Sequence, residues 1–115
     1  MADEILVLYP WGSLLRGVVT PSPGTLAALA GLARPGCRLW VRANVSALRD
    51  LYLRGLLPEV DEPYWRRALP PAYAAAGWAL RPPCFAWTEP ETPWARRLSQ
   101  GRSIQVLKLE GRRMP

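Results

Sequence analysis

Apolar positions along the chain fall into short blocks whose spacing switches between alternation and the helical period. Residues 5–9 (ILVLY) form a continuous apolar run ended by Pro10, the pattern of a strand buried on both faces. Residues 11–17 follow as a turn or short helix, and residues 20–24 (TPSPG) have loop chemistry. Over residues 25–34, Leu26, Leu29, Ala30 and Ala33 recur at helical spacing, and Pro35-Gly36 is placed to stop that helix. Residues 38–45 (RLWVRANV) alternate, with Leu39, Val41 and Ala43 on one face and Trp40 and Arg42 on the other. This is a second strand. Ser46 stands as N-cap of a helix reaching about residue 54 and ended by Gly55.

Beyond that point prolines interrupt the pattern. Residues 57–71 read as loop, with a short helix near 63–68, and a further helix starts after Pro71 and stops at Gly77. Residues 78–87 form a third strand broken by Pro82-Pro83, which confines it to a sheet edge or creates a bulge. Thr92-Pro93 begins a helix running to Gln100, with Gly101 as its stop. Residues 103–109 (SIQVLKL) alternate as a last strand. The order β-α-β-α-α-β-α-β predicts a largely parallel α/β sheet, although four strands are few for such a fold.

Composition narrows the partners. A chain of 115 residues is one small domain or part of a larger one. No apolar run approaches the ~18 residues that a membrane span requires. The acidic start, Met1-Ala2-Asp3-Glu4, is unlike a secretory leader. A cytoplasmic location without membrane contact is therefore expected. The 15 basic residues outnumber 9 acidic ones for a net charge of +6, and every base except Lys108 is arginine. Arg96, Arg97, Arg102, Lys108, Arg112 and Arg113 crowd the end of the chain against Glu110 alone. Such a block suits an anionic partner, since arginine forks match phosphate; an ordinary solvated face has the same composition. The chain has no histidine, which removes Ser-His-Asp and Cys-His chemistry and histidine metal sites. Cys37 and Cys84 stand alone, read as small core residues, and no metal site is expected. No glycine-rich phosphate loop occurs.

Several motifs together resemble one family. The junctions LARPGCRLWV (32–41) and YAAAGWAL (73–80) resemble the helix-to-strand entries to the fifth and sixth strands of class I S-adenosylmethionine-dependent methyltransferases. YPWGSLLRG (9–17) and WARRLSQGR (94–102) resemble motifs of the 16S ribosomal RNA (adenine(1408)-N(1))-methyltransferases, the aminoglycoside-resistance type. The likeness spans the whole chain but only the C-terminal half of that family. It implies an α/β fold, the C-terminal half of a Rossmann-like class I methyltransferase sheet (strands 4-5-7-6 with flanking helices). Residues 1–115 would form a partial domain without the N-terminal cofactor-binding half.

The resemblance also implies roles. An adenine flipped out of the RNA would lie between Trp11 and Trp94, whose flat faces each contribute roughly 1–3 kcal/mol of stacking. The Pro10 carbonyl would accept from the adenine amino group. Arg96, Arg97 and Arg102 would dock the RNA backbone, and Thr92 would stand at the base pocket. Ile104 occupies a position where the family carries a second basic residue. Adenine N1 has its own in-plane lone pair, so methyl transfer needs no general base. The implied cofactor is S-adenosyl-L-methionine, and the implied partner is 16S rRNA in the 30S ribosomal subunit. The alternative is a non-catalytic basic RNA-binding module or an inactive truncated fragment. On residues alone, Trp94 with Leu98 one turn on reads equally as a core position, and Trp11 as a cap on the sheet. Trp40, Trp65, Trp78 and Trp87 are assigned to packing. Without a neighbouring strand, the 5–9 edge (Ile5 to Tyr9) would also invite self-association.

Overall fold

The computed structural model describes residues 1–10, 12–20, 22–46, 48, 55, 61–88 and 104–115. Its elements are β1 (Ala2–Leu8), α1 (Gly12–Val19), α2 (Pro23–Gly31), β2 (Ala33–Asn44), α3 (Glu62–Ala75), β3 (Trp78–Leu80), β4 (Cys84–Thr88) and β5 (Ile104–Arg113). The sheet order is β1-β2-β5-β3, with β4 also paired to β5. β3 and β4 occupy successive stretches of the same β5 edge, Trp78 opposite Arg113 and Cys84 opposite Lys108. The break between them is Pro82-Pro83, where prolines cannot donate to the ladder. The expected parallel arrangement holds for β1 with β2, whereas β5 runs antiparallel to β2, β3 and β4. This is the 4-5-7-6 arrangement implied by the resemblance.

Alternation in β2 decides which face is core. Leu39, Val41 and Ala43 are buried, Trp40 is half-buried and Arg42 is exposed. Leu107 and Leu109 continue the buried face across β5. On that face lie Leu15, Val18 and Val19 of α1, Leu26 and Ala30 of α2, and Trp65, Leu69 and Tyr73 of α3. Residues 5–9 are not buried on both faces. Val7 is buried, but Leu6 and Leu8 are 60% and 56% exposed, because the described helices cover one face only.

Three local readings are corrected by tertiary contacts. α2 ends at Gly31, and Pro35-Gly36 lies inside β2. There β2 bulges between the pairs Ala2–Ala33 and Glu4–Arg38, with Gly36 at φ 82°. The two short helices expected near 63–68 and 71–76 are one helix, α3, running through Pro70 and Pro71. The carbonyls those prolines leave without donors belong to Arg66 and Arg67, both exposed, while Trp65, Leu69 and Tyr73 hold the buried side in place. Asp61 caps this helix by accepting from the Tyr64 N–H at 2.9 Å. The last strand extends to Arg113, four residues beyond the alternating stretch. Cys84 is exposed rather than core, whereas Cys37 is buried as expected.

Hydrogen bonds lock α1 under α3. Carbonyls at a helix C-terminus lack intrahelical donors. Here Arg16 receives the Thr20 N–H and hydroxyl, and Gly17 receives the Ser22 N–H. Val18 receives the Tyr73 hydroxyl at 2.7 Å, and Val19 receives the Trp65 indole N–H at 2.9 Å. Gly17 is itself required, because a Cβ there would overlap the Thr25 side chain of α2.

Candidate functional site

β1, β2 and β4 share a direction and finish at one end of the sheet, where β5 begins. α/β proteins build their sites at that end. β1 gives way there to Tyr9 and Pro10, both half-buried. The Tyr9 N–H donates to the Arg42 carbonyl at 2.7 Å, carrying the β1–β2 ladder one residue past the strand. Its φ of 50° nevertheless lies in the left-handed region, and Tyr9 is the only non-glycine residue with positive φ among those described. A residue before proline is ordinarily extended. The turn is therefore held against local preference, at a cost on the order of 1–3 kcal/mol, and such outliers concentrate at functional turns.

The end of β2 is clamped to the start of β5. The Asn44 side-chain oxygen accepts from the Ser46 N–H at 3.1 Å, and the Ser46 hydroxyl oxygen accepts from the Gln105 N–H at 2.9 Å. The Val45 N–H donates to the Gln105 carbonyl at 3.0 Å. Ser46, expected as a helix cap, thus bridges strands; the helix expected after it lies largely outside the described residues. Thr88, the last residue of β4, pairs with Ile104, the first of β5, so the two described residues that flank positions 89–103 are adjacent at this same end. Strand spacing places β4 about 14 Å from β1 across the sheet.

Of the side chains expected at a site, Pro10 alone is described. Trp11 lies outside the described residues, between Pro10 and the start of α1. Thr92, Trp94, Arg96, Arg97 and Arg102 fall within residues 89–103, also outside them. What the structure does bring together is the Pro10 turn and both anchors of the stretch that carries the others. Sequence reasoning placed Tyr9 in the turn but missed its left-handed backbone, and it missed the Asn44–Ser46–Gln105 clamp. The Tyr9-Pro10 pair was the available signal for the first; the clamp depends on strand pairing distant in sequence.

The strand-end residues Leu8, Asn44, Thr88 and Ile104 carry no acidic side chain, and Arg42 and Lys108 lie exposed one row behind them. The groups with displaced titration are elsewhere. Burial, with Asp3 and Glu4 adding to it, pushes the Cys37 thiol up, so it stays protonated at neutral pH. Burial likewise pushes up the Tyr73 phenol. The described edge is thus equipped to hold and orient a neutral or anionic ligand, with no group poised for proton transfer.

Comparison with known proteins converges on one family. The family model for NpmA, 16S rRNA (adenine(1408)-N(1))-methyltransferase, matches residues 1–113. A protein of that description from Streptoalloteichus tenebrarius is 40% identical over 94% of this chain and 53% of its own length. An rRNA methyltransferase from Saccharopolyspora hirsuta is 35% identical over 94% of this chain and 73% of its own. Among solved structures, a variant of the Catenulisporales acidiphilia 16S rRNA (adenine(1408)-N(1))-methyltransferase with its cosubstrate SAM superposes with a TM-score of 0.79 at 33% identity. It covers 99% of this chain and 54% of that one. The 16S rRNA methyltransferase KamB gives a TM-score of 0.73 at 40% identity, over 98% of this chain and 55% of that one. The neighbours align through their C-terminal half. The chain spans about half the length of the Streptoalloteichus relative and of both these structures.

Proposed function

The chain belongs to the 16S rRNA (adenine(1408)-N(1))-methyltransferase family, and from that premise we propose that it supplies the target-base and RNA-docking half of an S-adenosyl-L-methionine-dependent enzyme that methylates adenine N1 in 16S rRNA. The observation carrying this reading is the convergence of the left-handed Tyr9-Pro10 turn and both anchors of residues 89–103 on one end of the sheet. Trp11 and Trp94 sandwich the flipped adenine, Pro10 receives its amino group through a carbonyl, and Thr92 borders the base. Arg96, Arg97 and Arg102 neutralise the flanking phosphates. The reaction site operates on the 30S subunit in the cytoplasm, and such activity underlies aminoglycoside resistance.

The cofactor supplies the methyl group, and the described residues do not by themselves fit it. The strand ends present no acidic side chain for a ribose, and the sequence has no glycine-rich loop. Among the described residues, the buried side-chain polar atom without a partner, the Trp40 indole nitrogen, lies on β2 away from the strand ends. On this reading the chain contributes recognition: Trp11 and Trp94 as stacking faces, the Pro10 carbonyl as acceptor, and Arg96, Arg97 and Arg102 as a cationic rim. Positioning of this kind is where catalysis by a base-free transfer gains most.

The test is RNA binding by the chain itself. A 16S rRNA fragment containing the target adenine is titrated at several salt concentrations. Arg97→Glu combined with Arg102→Glu should weaken binding and flatten the salt dependence by about two phosphate contacts. Trp94→Ala should lower affinity while keeping the slope. An unchanged slope in the arginine variant would sink the docking role. Calorimetry with S-adenosylmethionine separates the reading from a bare RNA-binding module. The chain alone should give little heat, and tight binding would overturn the half-site assignment.

A further inference from the structure

On the helix-covered face of the sheet, cover runs out at the last row of β4. Ala43, Leu107 and Phe85 share one row across β2, β5 and β4. Phe85 is half-buried there, stacked on Trp65 of α3 with ring centroids 5.8 Å apart and topped by the Arg66 guanidinium at 4.9 Å. The next row towards the strand ends holds Gln105 and Trp87, which pair across β5 and β4. Trp87 is 63% exposed, the one exposed aromatic side chain among the described residues. Its sequence assignment to packing therefore fails, because α3 covers Phe85 and leaves the ring one row on in solvent. Gln105 is half-buried and directly opposed to Trp87, so their Cβ atoms are about 5 Å apart. The Gln105 N–H donates to the Ser46 hydroxyl oxygen and its carbonyl accepts from the Val45 N–H, which fixes the backbone from which the side chain starts. The side-chain amide itself makes no hydrogen bond with any described residue. The carboxylates at the start of α3 are engaged, Glu62 by Arg66 at 2.8 Å and Asp61 by the Tyr64 N–H at 2.9 Å.

An exposed flat ring beside an unengaged amide suits a nucleobase. The ring takes one face of the base, whichever base it is. The amide offers both a donor and an acceptor to the base edge, the pair of groups that adenine matches best. A protein partner would find little apolar surface here, since the neighbours of Trp87 on this face are an amide and a phenyl ring topped by a guanidinium. Position favours RNA as well. β4 ends one residue later, at the sheet end that carries the Tyr9-Pro10 turn. That turn lies at the end of β1, about 14 Å across the sheet, so a base held here is a different one from the base held at Pro10. We propose that Trp87 and Gln105 form a second base subsite, for an unpaired nucleotide of the RNA near the target adenine, with Trp87 stacking on its face and Gln105 bonding to its edge. This rests on the RNA-docking reading but uses none of the side chains assigned there.

The test places single abasic substitutions along the 16S rRNA fragment and measures its binding to the wild-type chain and to Trp87→Ala. On the intact fragment Trp87→Ala should bind about tenfold more weakly with an unchanged salt slope, because stacking is lost and no phosphate contact is. Trp87→Tyr should recover most of that loss, and Gln105→Ala should lower affinity several-fold. One abasic position other than the target adenine should cost the wild-type chain about tenfold and cost Trp87→Ala almost nothing, the mark of a direct contact. Trp87 is exposed, so the melting temperature of its variants should hold. Trp87→Ala binding like the wild type, a loss coupled to no abasic position, or coupling to the target adenine alone overturns the second subsite. If Arg97→Glu with Arg102→Glu weakens binding and Trp87→Ala does not, this inference alone falls. A wild-type chain that binds no fragment overturns both.

Discussion

Tyr73 and Trp65 act on stability by finishing a helix to which they do not belong. Their side chains supply the donors that the last two carbonyls of α1 lack, which ties α1 to an element more than forty residues away. Tyr73→Phe keeps the ring and removes the hydroxyl, leaving the Val18 carbonyl buried and unmet. A loss of about 1–3 kcal/mol is expected, measured by urea denaturation. The pH dependence follows in sign. Burial raises the Tyr73 phenol above its ordinary value near 10, so the folded chain holds that proton more tightly than the unfolded chain. Stability from this group is complete below pH ~10 and declines as pH rises further, a decline that Tyr73→Phe should remove. None of this was legible locally: Tyr73 and Trp65 look like any aromatic pair at helical spacing, and their acceptors are fixed only by packing.

At the scale of elements, alternation proved the dependable guide and proline the misleading one. Leu39, Val41 and Ala43 lie in the core where alternation put them, because a strand face is set by its own backbone. Pro35, Pro70 and Pro71 were read as boundaries, yet one lies in a bulged strand and two inside a helix. Buried side chains on either side outweighed the missing donors there, and propensity cannot anticipate that. Pro82-Pro83 did break its strand, at an edge where no partner required the N–H. The sequence motifs for the site located its turn and its connecting stretch, while the left-handed Tyr9 and the Ser46 bridge emerged only from strand pairing. Gly17 gives a sharp test at this scale. Gly17→Ala should cost about 1–3 kcal/mol through overlap with Thr25. Thr25→Ala in the same chain should recover part of that loss, a coupling that thermal melts of the single and double variants will measure.

For the molecule as a whole, β1 is the exposed limit of the sheet, paired with β2 alone among the described strands. Its unpaired side adjoins Leu6 and Leu8, so the chain by itself should self-associate with rising concentration. Leu6→Lys with Leu8→Lys should shift sedimentation toward monomer without lowering the melting temperature. A wild-type chain that stays monomeric at high concentration would count against this.

The position of β5 has a further consequence. This strand comes last in sequence, yet it lies between β2 and the β3–β4 edge, which never touch each other in the ladder. During translation, the two halves of the sheet are held apart until residues 104–113 have left the ribosome. Until then the nascent chain exposes two open strand edges that only β5 closes among the described strands. A premature stop shortly before residue 104 would thus remove the ten residues of β5 and with them the join between β2 and the β3–β4 edge.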